Sequence, residues 1–188
     1  MRVRLIERGH VGTGATVASF GNIRRTGRAL EQLPLAKRAL DLWSRADELL
    51  GRDVEFRATG HLRLIFDEAS RTDMLRFAEA ARPLGLELDQ RSPQRSGAAF
   101  PTSAPRQSAP ASRPATAAPT RGWSPPAFAD AASRAGAEII AHAGEPGVEK
   151  TETGFQLGPG TGDTMAELIA TGTSTTPVAA MSITRFAA

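Results

Sequence analysis

The sequence predicts an α/β fold, with α and β elements mixed along the chain and a disordered linker between two ordered parts. Three observations point to it. An alternating stretch at residues 2–7 opens the chain as a short strand and runs into a glycine-rich loop. Two stretches with helical apolar periodicity follow, at 31–50 and 68–82. Residues 101–120 then break the pattern, because 17 of the 20 are Pro, Ala, Ser or Thr.

In the first strand Val3 and Leu5 alternate with Arg2 and Arg4, and Ile6 extends the apolar end. Residues 8–28 read as a loop of Gly, Thr and Ser with Arg24, Arg25 and Arg28 at its far side. Over 31–50, Leu33, Ala36, Leu40 and Trp43 form one stripe and Leu35, Ala39, Leu42 and Ala46 a second, giving a wide apolar face. Pro34 suits the first turn, where its missing N–H costs nothing, and Gly51 is a natural stop. Residues 54–66 predict two strands around Ala58–His61, with Leu62, Leu64 and Phe66 on one face. Met74, Phe77, Ala78 and Ala81 mark a helix over 68–82 that Pro83 and Gly85 end. Residues 86–89 begin a further strand.

The segment around 101–120 holds nothing apolar larger than alanine. Such a stretch buries too little surface to offset the ordering of its backbone, roughly 1–2 kcal/mol per residue. It is expected to be disordered or extended. Order resumes with Ser124 as a cap, Pro125 in a first helical turn and Gly136 as a stop, then a buried strand at 137–141. Residues 148–157 predict a β-hairpin with Gly154 near its turn. The last 31 residues have weak periodicity and are expected to be poorly ordered, with a short helix at 164–170.

The composition excludes several classes. There is no cysteine, so disulfides, thiolate metal sites and cysteine nucleophiles are absent. No apolar run reaches the roughly 18–20 residues that cross a membrane, and the N-terminal apolar stretch is too short for a signal peptide. A cytoplasmic location, at most peripheral to a membrane, is the default. The net charge is +3, and 21 of the 23 basic residues are arginine. They are scattered among acids rather than massed, which argues against a nucleic-acid partner. His10, His61 and His142 show no metal-ligand spacing, so no metal is expected. No Gly-X-Ser-X-Gly elbow occurs.

The opening loop is the best candidate for chemistry. In a nucleotide-binding βαβ unit the second strand ends in an acid whose carboxylate takes the ribose hydroxyls. Glu7 stands where that acid belongs, ahead of "GTGATV" rather than after it. Small residues let a backbone approach a cofactor closely, and Thr13, Thr16, Ser19 and Asn22 offer hydrogen bonds. The same residues also suit an ordinary surface turn.

The stretch "IERGHVGTGATVASFGNIRRTGRALEQLPLAKRALDLW", with "FRATGHLRL" and "AEAARPLGLEL", resembles FAD-dependent oxidoreductases of the D-amino-acid oxidase, glycine oxidase and sarcosine oxidase type. The later "SPPAFADAASRAGAEI…GVEKTETGF" resembles the same family's return to its FAD domain. The resemblance implies a partial Rossmann-like FAD-binding layer and a partial substrate-domain sheet. It divides the chain into an FAD-binding segment (1–30), helices and substrate-side strands (31–96), the linker (97–123), the return to the FAD domain (124–157) and a tail (158–188). FAD is the implied cofactor. Glu7 would bind the adenosine ribose, and Arg8, Ala15, Thr16, Ser19, Gly21 and Asn22 would line the pyrophosphate and flavin. The implied substrate is a small amino acid or amine whose C–N bond is oxidised by hydride transfer to flavin.

The sequence also departs from the family. No Gly-X-Gly-X-X-Gly turn precedes Glu7, and the Pro/Ala/Ser stretch stands in place of substrate-domain sequence. "GPGTGDTMAE" resembles the late flavin loop, with Thr161 where an aromatic is usual. These departures suggest a truncated or disrupted member, inactive as it stands, with no catalytic residue assignable. A non-catalytic interaction module that keeps only the scaffold is the alternative, and an arginine-rich nucleic-acid binder a distant third.

Overall fold

A strand needs a neighbour to satisfy its backbone, and the first one finds it far along the chain. In the computed structural model, which describes residues 2–14, 16, 23–58, 60–61, 63–91, 111–112, 124–144 and 154–182, β1 (Arg4–Ile6) pairs in parallel with β4 (Glu138–Ile140). Arg4 lies opposite Glu138, and their side chains meet at 2.8 Å. Val3, Leu5 and Ile6 stay about half exposed on this two-stranded sheet. Among the described residues between β1 and β4 the longer elements are helices: α1 (Leu33–Ser44), α2 (Ala46–Leu50), α3 (Glu68–Ala81) and α4 (Ser124–Arg134), with α5 (Gly154–Thr171) after β4. A second ladder joins β2 (Gln90–Arg91) to β3 (Ala111–Ser112), antiparallel. The remainder of the linker expected over 97–123 lies outside the described residues.

The helices form where the pattern places them. A 3₁₀ turn (Leu30–Gln32) leads into α1, which buries Leu33, Leu35, Ala36, Ala39 and Trp43. Gly51, at φ +70°, closes α2 with its N–H on the Asp47 carbonyl. Asp67 caps α3 by accepting the Ser70 N–H at 2.7 Å, and that bond holds its carboxyl below the usual range. One core cluster joins Ile23, Trp43, Ala46, Leu50, Val54 and Ala127. A second joins Leu33, Ala81 and Leu86. Arg134 ties α4 to the end of α2 through the Leu50 carbonyl at 2.6 Å.

Several expectations fail. Residues 53–57 form no strand, because Asp53 accepts the Glu55 N–H at 2.6 Å and Glu55 turns to φ +59°. That local side-chain bond competes with any ladder. Beyond it the faces are reversed: Ile65 is buried, while Leu64 and Phe66 are exposed. Of the hairpin expected over 148–157, residues 148–153 lie outside the described residues and 154–157 belong to α5, as does the flavin loop expected at 158–167; the short helix expected at 164–170 forms the later part of the same helix. The helix runs through Pro159 and several glycines, residues of poor helix propensity. Packing against α1 overrides that propensity: a Cβ on Gly160 would stand 2.9 Å from the Ala39 backbone nitrogen.

Charge reinforces the α1–α5 contact. Arg38 on α1 reaches Asp163 and Glu167 on α5, both at 2.7 Å, and the Thr176 hydroxyl at 2.8 Å. Arg38 first, with Thr175 and Ser174, holds the Glu167 carboxyl down at about 2, against its usual 4.5. A carboxyl lowered in the folded state contributes stability above its unfolded value and loses it as pH falls through the folded one. The stabilising effect of Arg38 is therefore expected to fade between about pH 4.5 and about pH 2. Thermal melts of the wild type and Arg38→Gln should differ at pH 6 and converge near pH 2. A gap that does not depend on pH would contradict this.

Candidate functional site

Open α/β sheets bind ligands at the carboxyl ends of their strands. Glu7 lies there, immediately after β1, and its backbone is fixed on both sides. Its N–H donates to the Ile140 carbonyl at 2.9 Å, and its carbonyl accepts from Ala143 at 3.1 Å. The half-buried side chain accepts the Gly9 N–H at 2.8 Å. A carboxylate has about four acceptor positions, so this one bond orients the group without saturating it.

The glycine loop after Glu7 sits on α4. Gly12 has φ +85°, and a Cβ there would lie 2.5 Å from the Pro125 Cβ. Only glycine meets both conditions. The His10 carbonyl accepts both the backbone N–H and the hydroxyl of Thr13. His142, at φ +57°, donates its N–H to the Gly9 carbonyl at 3.3 Å. Its ring meets that of His10 edge-on, with centroids 4.4 Å apart. The ends of β1 and β4 are thus joined into one rim that carries Glu7.

Of the residues the sequence singles out, Glu7 is on this rim, Arg8 is exposed beside it and Thr16 is half-buried. Ala15, Ser19, Gly21 and Asn22 lie outside the described residues. Sequence reasoning missed the roles of Gly12, His10 and His142. Gly12 carried a signal, its place in a Gly-X-Gly loop, but its partner Pro125 is known only once α4 is placed. Among the described residues no cluster of three or more metal-ligating side chains occurs, and no helix is long and apolar enough to cross a membrane. An apolar recess of about 370 Å³, lined by Leu35, Thr164, Met165, Leu168 and Val178 among others, lies between α1, α5 and the chain after it. Among the described residues no titratable group lines it.

A carboxylate ends a parallel strand and a glycine loop seated on a helix follows it, an α/β arrangement whose strand ends are where open sheets generally bind ligands. The family model described as DAO, FAD dependent oxidoreductase, matches residues 1–185. The chain belongs to this family, whose cofactor is FAD. Solved structures share the fold. The L-amino acid deaminase from Proteus myxofaciens, in complex with anthranilate, superposes with a TM-score of 0.69 at 19% identity, covering 80% of this chain and 35% of that one. Glycine oxidase from Geobacillus kaustophilus gives 0.66 at 23% identity, over 75% and 40%. L-proline dehydrogenase from P. horikoshii gives 0.69 at 24% identity, over 75% and 37%. The chain therefore spans well under half the length of these structures. No curated protein matches the sequence.

Proposed function

We propose that the chain provides part of the flavin site of an amino-acid or amine oxidoreductase. The observation that carries this reading is Glu7, oriented by Gly9 at the carboxyl end of β1. In this reading its carboxylate accepts the ribose hydroxyls of the adenosine half of FAD. Arg8, Ala15, Thr16, Ser19, Gly21 and Asn22 supply charge, small size and hydrogen bonds along the rest of the cofactor. Bound flavin supplies the two-electron acceptor for oxidation of a C–N bond. The β1–β4 sheet and α4 position the loop. The three similar proteins, named for action on amino acids, support that substrate class.

The 188 residues contain no Gly-X-Gly-X-X-Gly fingerprint to hold the pyrophosphate, so the chain by itself is expected to bind FAD weakly and to be inactive. Purified protein that is yellow with one flavin per chain would overturn that expectation. Glu7→Gln should weaken FAD binding at least tenfold in a fluorescence-quenching titration, since a charge-assisted hydrogen bond contributes about 1.5–3 kcal/mol. Equal affinities would remove Glu7 from the site. One observation favours a second reading, a non-catalytic interaction module: the half-exposed Val3, Leu5 and Ile6 on a two-stranded sheet. A cooperative melt with no FAD binding at any concentration would select it.

A further inference from the structure

Among the described residues, neither core cluster contains a residue of α5. The helix rests mainly on α1. Gly160 sits close against Ala39 and the Leu35 carbonyl. Beside that contact lies the apolar recess of about 370 Å³, and Met165 on its wall is half exposed. Thr164, on the same wall, is almost fully buried, and its hydroxyl has no hydrogen-bond partner. A buried polar group left unpaired opposes docking, because water satisfies it once the helix is free.

Away from α1 the helix has little to sustain it. Gly158, Pro159, Gly160 and Gly162 are poor helix formers, and a helix in water draws most of its stability from burying an apolar face. Arg38 is what fastens it. One guanidinium reaches Asp163 and Glu167 of α5 and Thr176 beyond it. Glu167 in turn accepts the Ser174 and Thr175 hydroxyls. The helix and residues 174–176 therefore hang on one latch.

We propose that α5 and the chain to Thr176 form a strap that lifts from α1 as one unit while both core clusters stay formed, with Arg38 as its latch and the unpaired Thr164 hydroxyl favouring release. Local opening of this kind belongs to segments with few buried apolar contacts of their own. Lifting uncovers Leu35 and Ala39, both buried in the closed form, so an apolar face of α1 is accessible only in the open one. The strap does not depend on flavin binding.

The test is hydrogen exchange of the full chain, followed by mass spectrometry at low urea concentrations. Amides of 160–171 should exchange at least about tenfold faster than those of α3. Their rate should change little with urea, since the opening exposes little surface, whereas the α3 rate should climb steeply. Arg38→Gln should speed exchange in α5 about tenfold through loss of charge-assisted hydrogen bonds. Thr164→Val, which keeps the shape and removes the hydroxyl, should slow it about fivefold. Circular dichroism of each variant shows whether the cores persist, and Thr164→Val carries the test should Arg38→Gln fail to fold. Equal rates and equal urea slopes for α5 and α3 would make them one cooperative unit and overturn the strap. So would α5 amides with no protection at all, or exchange in α5 that neither variant changes.

Discussion

Trp43→Ala will lower the stability of the chain by about 3–5 kcal/mol, the usual cost of emptying a buried aromatic site. Trp43 is 1% exposed and stands where three segments meet. Its ring stacks on Phe56, with centroids 6.4 Å apart, and meets Phe128 of α4 edge-on at 5.5 Å. Ile23, Leu50, Val54 and Ala127 close the cluster around it. These neighbours come from separate segments, so they cannot collapse together to fill the gap. Domains are stable by only about 5–15 kcal/mol, and this single change removes a large share. Urea denaturation followed by circular dichroism is the measurement. A midpoint within error of the wild type would show that Trp43 is not the centre of the core.

The second large effect is expected at Gly160. A Cβ there would lie 2.9 Å from both the Cβ and the backbone nitrogen of Ala39, and 3.0 Å from the Leu35 carbonyl oxygen. Two of these three atoms are α1 backbone, which cannot swing aside. Gly160→Val must push α1 and α5 apart, at a cost of about 3 kcal/mol, the upper end for overpacking. Gly162 is the control. It lies on the same helix with nothing within 4 Å, so Gly162→Val should change stability by less than about 0.5 kcal/mol, because glycine and valine differ little in helix propensity. Equal effects at the two positions would mean that the helices do not depend on close approach at Gly160.

The helices that carry their own signals were legible in the sequence. Leu33, Ala36 and Trp43 announced the buried face of α1, and Pro83 and Gly85 the end of α3 and its final turn. Glu7 at a strand end was legible too. What the sequence concealed was created by contact. The later part of α5 was expected as a short helix at 164–170, but no propensity scale extends it back through Pro159, Gly160 and Gly162; that part forms where α1 presents a surface that small residues can approach. The Asp53 turn hid behind an alternating pattern, since a carboxylate that captures the next-but-one N–H leaves no mark on periodicity. The contacts of Arg38 with Asp163 and Glu167 were invisible for a related reason: the residues lie far apart in the chain, and only the fold brings them together.

The pairing of Arg4 with Glu138 spans 134 residues, and this sets an order of events. Closing so long a loop costs about 4 kcal/mol by the logarithmic chain-length term alone, and the helices between gain their local contacts without it. The sheet therefore assembles late, on helices already formed, as topologies rich in distant contacts generally do. Glu7 depends on that sheet for its fixed backbone. The candidate site is thus the last part of the molecule to take shape, and the first to be lost when the chain begins to open.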